Sequence, residues 1–134
     1  MTASIIYKGN LRCTATHLQS GTIIGTDAPT DNQGLGAQFS PTDLVCVALA
    51  TCIITTIAIK ATDMQLNLNE VTSEVTKYMY TEPRRIGKIE VSFNFSKTPT
   101  TQKERLIIER VAKTCPVHHS LHPSMELAIT FTWE

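Results

Sequence analysis

Every second residue from Ile89 to Phe95 is apolar (Ile89, Val91, Phe93, Phe95), a period of two that predicts a strand over Gly87–Ser96. A second strand is predicted over Glu70–Tyr80, where Val71, Ser73, Val75 and Lys77 alternate with Thr72, Glu74, Thr76 and Tyr78. Thr81-Glu82-Pro83-Arg84-Arg85 connects the two. The first third also reads as β: Ser4–Lys8 and Arg12–Leu18 suit strands around a Gly9-Asn10 turn, and Ser20-Gly21 precedes a short third strand, Thr22–Gly25. From Thr26 to Phe39 neither period is present. Irregular loops of that length, beyond about 12 residues, often cover a site, but an ordered and inert surface loop reads the same way.

The period changes at Ser40. This residue suits a helix N-cap, Pro41 takes the first helical position without losing a hydrogen bond, and Asp43 puts negative charge in the first turn. Leu44, Val45, Val47, Ala48, Leu49, Ile53, Ile54, Ile57, Ala58 and Ile59 then make the helix apolar nearly all round, so it is expected to be covered on most sides. A chain of 134 residues has few places to bury such a helix, and a subunit interface is the natural second cover. Thr101-Gln102-Lys103-Glu104 is a capping box that opens a second helix, whose apolar stripe is Ile108, Val111, Ala112 and Cys115. Pro116 disfavours helical geometry at Cys115, placing that thiol where the chain turns away. A last strand is expected over Met125–Trp133, and the whole of 1–134 reads as a single α+β domain.

Charge removes several function classes. Twelve basic and twelve acidic residues balance, so nothing draws the chain to nucleic acid or to an acidic membrane surface, and one barrier to self-association is absent. The N-terminal residues lack a charged segment followed by a long apolar one, so no signal peptide is expected. Leu44–Ala61 contains Thr51, Thr55, Thr56 and Lys60, which reads as too polar for a membrane span. The expected compartment is the cytoplasm, where a disulfide is catalytic or sensing more often than structural.

Two of the four cysteines draw attention, because Cys52 and Cys115 both sit on apolar helical stripes. A thiol in such a place is either inert filler or half of a redox pair; an attacking thiol also needs activation, access for an oxidant, and a second thiol to resolve it. Cys46, turned about 120° from Cys52 on the helix, and Cys13, in a strand, read as packing residues. Cys115, His118, His119 and His122 are near one another in sequence, but one cysteine and a proline-broken turn make a poor zinc set, and no metal is expected. There is no Gly-x-Ser-x-Gly elbow, and Gly34-Leu35-Gly36 lacks the third glycine of a dinucleotide turn.

The segment Phe39-Ser40-Pro41-Thr42-Asp43-Leu44 leading to Ala50-Thr51-Cys52, with the distant Cys115-Pro116-Val117-His118, resembles the OsmC/Ohr family of osmotically inducible and organic hydroperoxide resistance proteins. The resemblance spans essentially the whole chain. It implies an α+β fold of N-terminal strands, a long central buried helix, two further strands, a second helix and a final strand, assembled as an intertwined homodimer. It also implies a thiol peroxidase without a cofactor. Cys52 would attack an organic hydroperoxide, Cys115 would resolve the sulfenic acid to a disulfide, and a lipoyl-type dithiol would reduce it. Two positions depart from the pattern. Peroxidase members carry glutamate where this chain has Thr42, with Asp43 as the nearest carboxylate, and their activating arginine comes from an early loop, whereas Arg12 here lies in a strand. Arg12, Thr42, Asp43 and His118 are therefore the candidate auxiliary groups, with His17 and His119 as further sources of positive charge. The departures imply weak or atypical peroxidase activity, or a non-catalytic protein of the same fold that senses redox state or binds a small ligand.

Overall fold

Gly9, Asn10 and Leu11 all take positive φ, and this left-handed run turns β1 (Ala3–Gly9) back against β2 (Arg12–His17). In the computed structural model, which describes all residues 1–134, β2 then pairs with β3 (Ile23–Asp27) to complete a three-stranded antiparallel sheet in the order β1-β2-β3. The sheet belongs to the first of two compact units, Met1–Val45; the second is Cys46–Glu134. β3 runs two residues further than expected, which sets Asp27 opposite Arg12 in the register.

The loop expected after β3 is ordered and tied down within the first unit. Its ties are Ala28 N–H to Leu11 O (3.1 Å), Asp27 N–H to Phe39 O (3.2 Å), Gly36 N–H to Ala28 O (3.2 Å) and Ala37 N–H to Asp27 Oδ2 (3.0 Å). A Cβ on Gly34 would overlap the Ala28 carbonyl, so close backbone approach demands glycine there. The loop then delivers α1 (Pro41–Asp63) through a reciprocal cap: Asp43 N–H donates to Ser40 Oγ (3.0 Å) and Ser40 N–H to Asp43 Oδ2 (2.9 Å).

From Cys46 onward α1 lies in the second unit and buries one stripe, Cys46, Leu49, Ala50, Ile53, Ile57 and Ala61. Its opposite side, with Thr51, Thr55, Ile59 and Thr62, is exposed, and Ile59 retains 64% of its surface. The threonines do not make the helix polar. Thr51, Thr55, Thr56 and Thr62 each donate their hydroxyl to the carbonyl four residues back, at 2.8–3.0 Å. This corrects the expectation of a segment too polar to span a membrane: by length and composition Pro41–Asp63 is long and apolar enough to do so. Its buried stripe instead packs in a protein core.

The second sheet has the order β4-β5-β6, with β4 (Thr72–Tyr80) antiparallel to β5 (Arg85–Asn94) and β6 (Glu126–Thr132) parallel to β5. The parallel pair requires a crossover, supplied by α2 (Gln102–Ala112) and a short α3 (Pro116–Ser120). Ile89, Val91, Phe93 and Phe95 point inward at the predicted period of two and are fully buried. Phe93 stacks on Phe131 with centroids 5.5 Å apart, and Phe95 lies 4.8 Å from Trp133. Each such side chain contributes about 1.5–3 kcal/mol by leaving water. Trp133 Nε1–H bonds Glu109 Oε1 (2.9 Å), fixing α2 to the strand end. Thr101 and Glu104 form the capping box read from the sequence.

Candidate functional site

Cys115 is reached by a helix that stops early. α2 ends at Ala112, three residues before the thiol. Pro116 holds Cys115 in extended geometry (φ −67°, ψ 143°), as its effect on the preceding residue requires. The same proline is the first residue of α3, so Cys115 becomes that helix's N-cap, and its sulfur accepts the His118 backbone N–H at 3.2 Å. The short helix was not anticipated; a residue followed by proline reads as readily as a helix start as a helix stop.

Cys52 is half-buried on α1 beside the core stripe, and Cys115 is fully buried in the apolar cluster. Cys52 and Cys115 lie close together. None of the four cysteines is joined in a disulfide. Burial pushes the Cys115 thiol above its ordinary value; the His118 and Val117 backbone N–H groups work against that, and Cys52 adds to it. Of the two neighbouring thiols, that of Cys52 belongs to a partly buried residue and that of Cys115 to a fully buried one.

The remaining candidates lie as follows. His118 meets Cys115 through its backbone, while its ring packs edge-on against His119, with centroids 5.9 Å apart. Cys115, His118, His119 and His122 do not converge into a metal-binding group. Cys46 is in the buried stripe of α1. In the first unit, Thr42 Oγ1 lies 3.1 Å from Ser40 Oγ, and Asp43 is held in the helix cap. Cys13 pairs across the sheet with Tyr7 and Thr26. His17 Nδ1 is 2.6 Å from Ser20 Oγ. Arg12 reaches Asp27, Nη2 to Oδ2 at 3.5 Å.

Asp27 is the residue that sequence reasoning missed. Its side chain is wholly buried, and its second oxygen and the Arg12 Nε are both buried without a protein partner. The signal was present as an acid at the end of a strand, but only the register places it across from the arginine. An open apolar hollow of ≈ 580 Å³ also marks the first unit, lined by Ile24, Gly25, Gly36, Ala37, Gln38, Phe39 and Asp43.

The sequence profile of the family described as OsmC-like protein matches residues 33–130. An osmotic-stress-induced and detoxification-response protein of Psychrobacter arcticus, so described, is 42% identical, with a TM-score of 0.94 over 98% of this chain and 96% of that one. An OsmC-like protein of Mycoplasma pneumoniae is 20% identical (TM-score 0.81; 98% and 94% covered). An organic hydroperoxide resistance protein of Legionella pneumophila is 17% identical (TM-score 0.74; 98% and 97% covered), and these two likenesses concern the fold. No curated protein matches the chain in sequence. With the profile covering most of its length and the two thiols in their expected segments, the chain belongs to the OsmC-like family.

Proposed function

We propose that the protein is a thiol-dependent peroxide reductase acting on organic hydroperoxides, with Cys52 peroxidatic and Cys115 resolving. The observation that carries this reading is the closeness of the two sulfurs, one half-exposed and the other buried. In the first step the Cys52 thiolate attacks the terminal peroxide oxygen; an S–O bond forms, the O–O bond breaks, and the alkoxide leaves and takes a proton to become the alcohol. Cys115 then attacks the Cys52 sulfenic acid, forming S–S and releasing the oxygen as water. A lipoyl-type dithiol reduces the disulfide by exchange. The apolar surroundings of the pair favour an organic substrate over hydrogen peroxide.

The working form in this proposal is a homodimer in which residues 1–134 act as one domain. Its support is apolar surface left uncovered in each unit: Ile5, Ile6, Tyr7 and Ile23 in the first, Ile59 in the second. Four cysteines outside any disulfide, two of them close together, fit a reducing cytoplasm. The auxiliary residues suit an atypical member, since Thr42 stands at the glutamate position and Arg12 is already paired with a buried carboxylate.

A second reading, a redox sensor or small-ligand binder without turnover, is favoured by that same pairing and by the apolar hollow at Phe39. Consumption of tert-butyl hydroperoxide with dihydrolipoamide separates the two. Turnover by the wild type that falls to background in Cys52→Ser supports the reductase; equal background rates for both proteins support the second reading.

A further inference from the structure

The ion pair of the first unit is only half made. Arg12 reaches Asp27 through a single contact, Nη2 to Oδ2 at 3.5 Å, whereas a guanidinium and a carboxylate commonly close two parallel bonds. The atoms that a second bond would join, Arg12 Nε and Asp27 Oδ1, are both buried and have no hydrogen-bond partner. Asp27 is held where it is: its side chain is wholly enclosed, and its Oδ2 also accepts the Ala37 N–H at 3.0 Å. The freedom lies with Arg12, whose side chain is 39% exposed. Buried polar atoms are ordinarily satisfied, so an offset of this kind calls for a further group that draws on the guanidinium.

Arg12 also lines an open hollow of ≈ 390 Å³, together with Asn10, Leu11, Gln33, Gly34 and Leu35. That size falls within the range of small-molecule sites, about 300–1,000 Å³. Arg12 is its one charged residue. Asn10 and Gln33 bring carboxamides, and Leu11 and Leu35 bring exposed apolar surface. The lining is also costly in backbone terms. Asn10, Leu11 and Gln33 hold φ of 54°, 62° and 66°, three of the six non-glycine residues with positive φ, so strain is concentrated around this one hollow.

We infer that this hollow binds a small organic monocarboxylate. The carboxylate takes the exposed edge of the Arg12 guanidinium, the amide N–H groups of Asn10 and Gln33 donate to it, and a short alkyl chain rests on Leu11 and Leu35. Three features select this chemistry. A planar guanidinium fork matches a carboxylate in shape as well as charge. Asp27 offsets much of the Arg12 charge, so a singly charged ligand suits the site better than a phosphate dianion does. No acid lines the hollow to repel an anion. The site lies within Met1–Val45 and stands apart from the reductase reading, since it uses neither Cys52 nor Cys115.

The test is a nitrogen–proton correlation NMR titration of the full chain with hexanoate, hexanamide and inorganic phosphate. Hexanoate is expected to shift the backbone signals of Asn10, Leu11, Gln33 and Gly34 and the Arg12 Nε–H signal, and to saturate. Hexanamide and phosphate should each bind at least about tenfold more weakly, because neither pairs a bidentate monoanion with an alkyl chain. Arg12→Lys keeps the charge beside Asp27 but loses the fork, and should weaken hexanoate binding about tenfold. Gln33→Gly removes a carboxamide while suiting the positive φ, so it should fold as wild type and bind about threefold more weakly. Hexanamide or phosphate binding as well as hexanoate would overturn the inference. So would shifts that are absent or centred on Ile24 and Phe39 of the apolar hollow, or wild-type affinity in both variants.

Discussion

The Cys115 sulfur accepts the His118 backbone N–H at 3.2 Å while facing the Cys52 thiol, so one fully buried atom links the start of α3 to the middle of α1. This makes the stability of the protein depend on pH. Cys115 is raised in the folded state, chiefly by burial, so the unfolded chain releases that proton at a lower pH than the folded one does. The contribution is fully present below the ordinary thiol range and is lost as pH rises through it toward the raised folded value. Thermal melts from pH 7 to 10 should show wild type losing more stability at the alkaline end than Cys115→Ala. Parallel curves would contradict the assignment.

Asp27 is expected to matter more to the first unit than a strand-end acid usually does. Its Oδ2 receives the Ala37 N–H and meets Arg12 from a fully buried position. Asp27→Ala removes both partners at once and should cost about 1–3 kcal/mol. Limited proteolysis should then cut within residues 28–39 faster than in wild type; an unchanged cleavage rate would mean that the carboxylate does not anchor the loop.

The aromatic centre of the second unit should respond more strongly. Phe93 has no exposed surface and stacks on Phe131, so Phe93→Ala is expected to cost about 3–5 kcal/mol in urea unfolding. A loss below about 1 kcal/mol would place the core elsewhere.

Ile59 tests the proposed assembly. It is 64% exposed on the side of α1 that the second unit leaves open, and the threonines flanking it have already satisfied their hydroxyls internally. That surface is ready for a dry contact. Ile59→Glu should shift a dimeric wild type to monomer in sedimentation velocity, with the helical content unchanged. A variant that sediments as wild type does would remove this face from the interface.

How much of this could be read before the coordinates differs by element. β5 was legible because Ile89 to Phe95 carry an uninterrupted period of two, and the capping box at Thr101 and Glu104 is a local signal that nothing distant overrides. The parallel pairing of β6 with β5 was not legible, since it depends on how a crossover packs rather than on either strand's own pattern. Cys115 was placed at the point where the chain leaves α2, but its role as N-cap was hidden, because Cys-Pro serves equally to end one helix and to begin the next. Thr51, Thr55 and Thr56 counted as polar in the sequence and as apolar in the structure, for the hydroxyls turn back onto the helix. Arg12 could be singled out as a cation, but its partner Asp27 is fixed only by strand register.

The central claim is that Cys52 and Cys115 are the two halves of one redox reaction. The most direct measurement is peptide mapping under non-reducing conditions after one equivalent of tert-butyl hydroperoxide. The account predicts a Cys52–Cys115 disulfide as the main product, and a trapped Cys52 sulfenic acid in Cys115→Ser. Oxidation that leaves Cys52 unmodified, or that joins either sulfur to Cys13 or Cys46 instead, would contradict it.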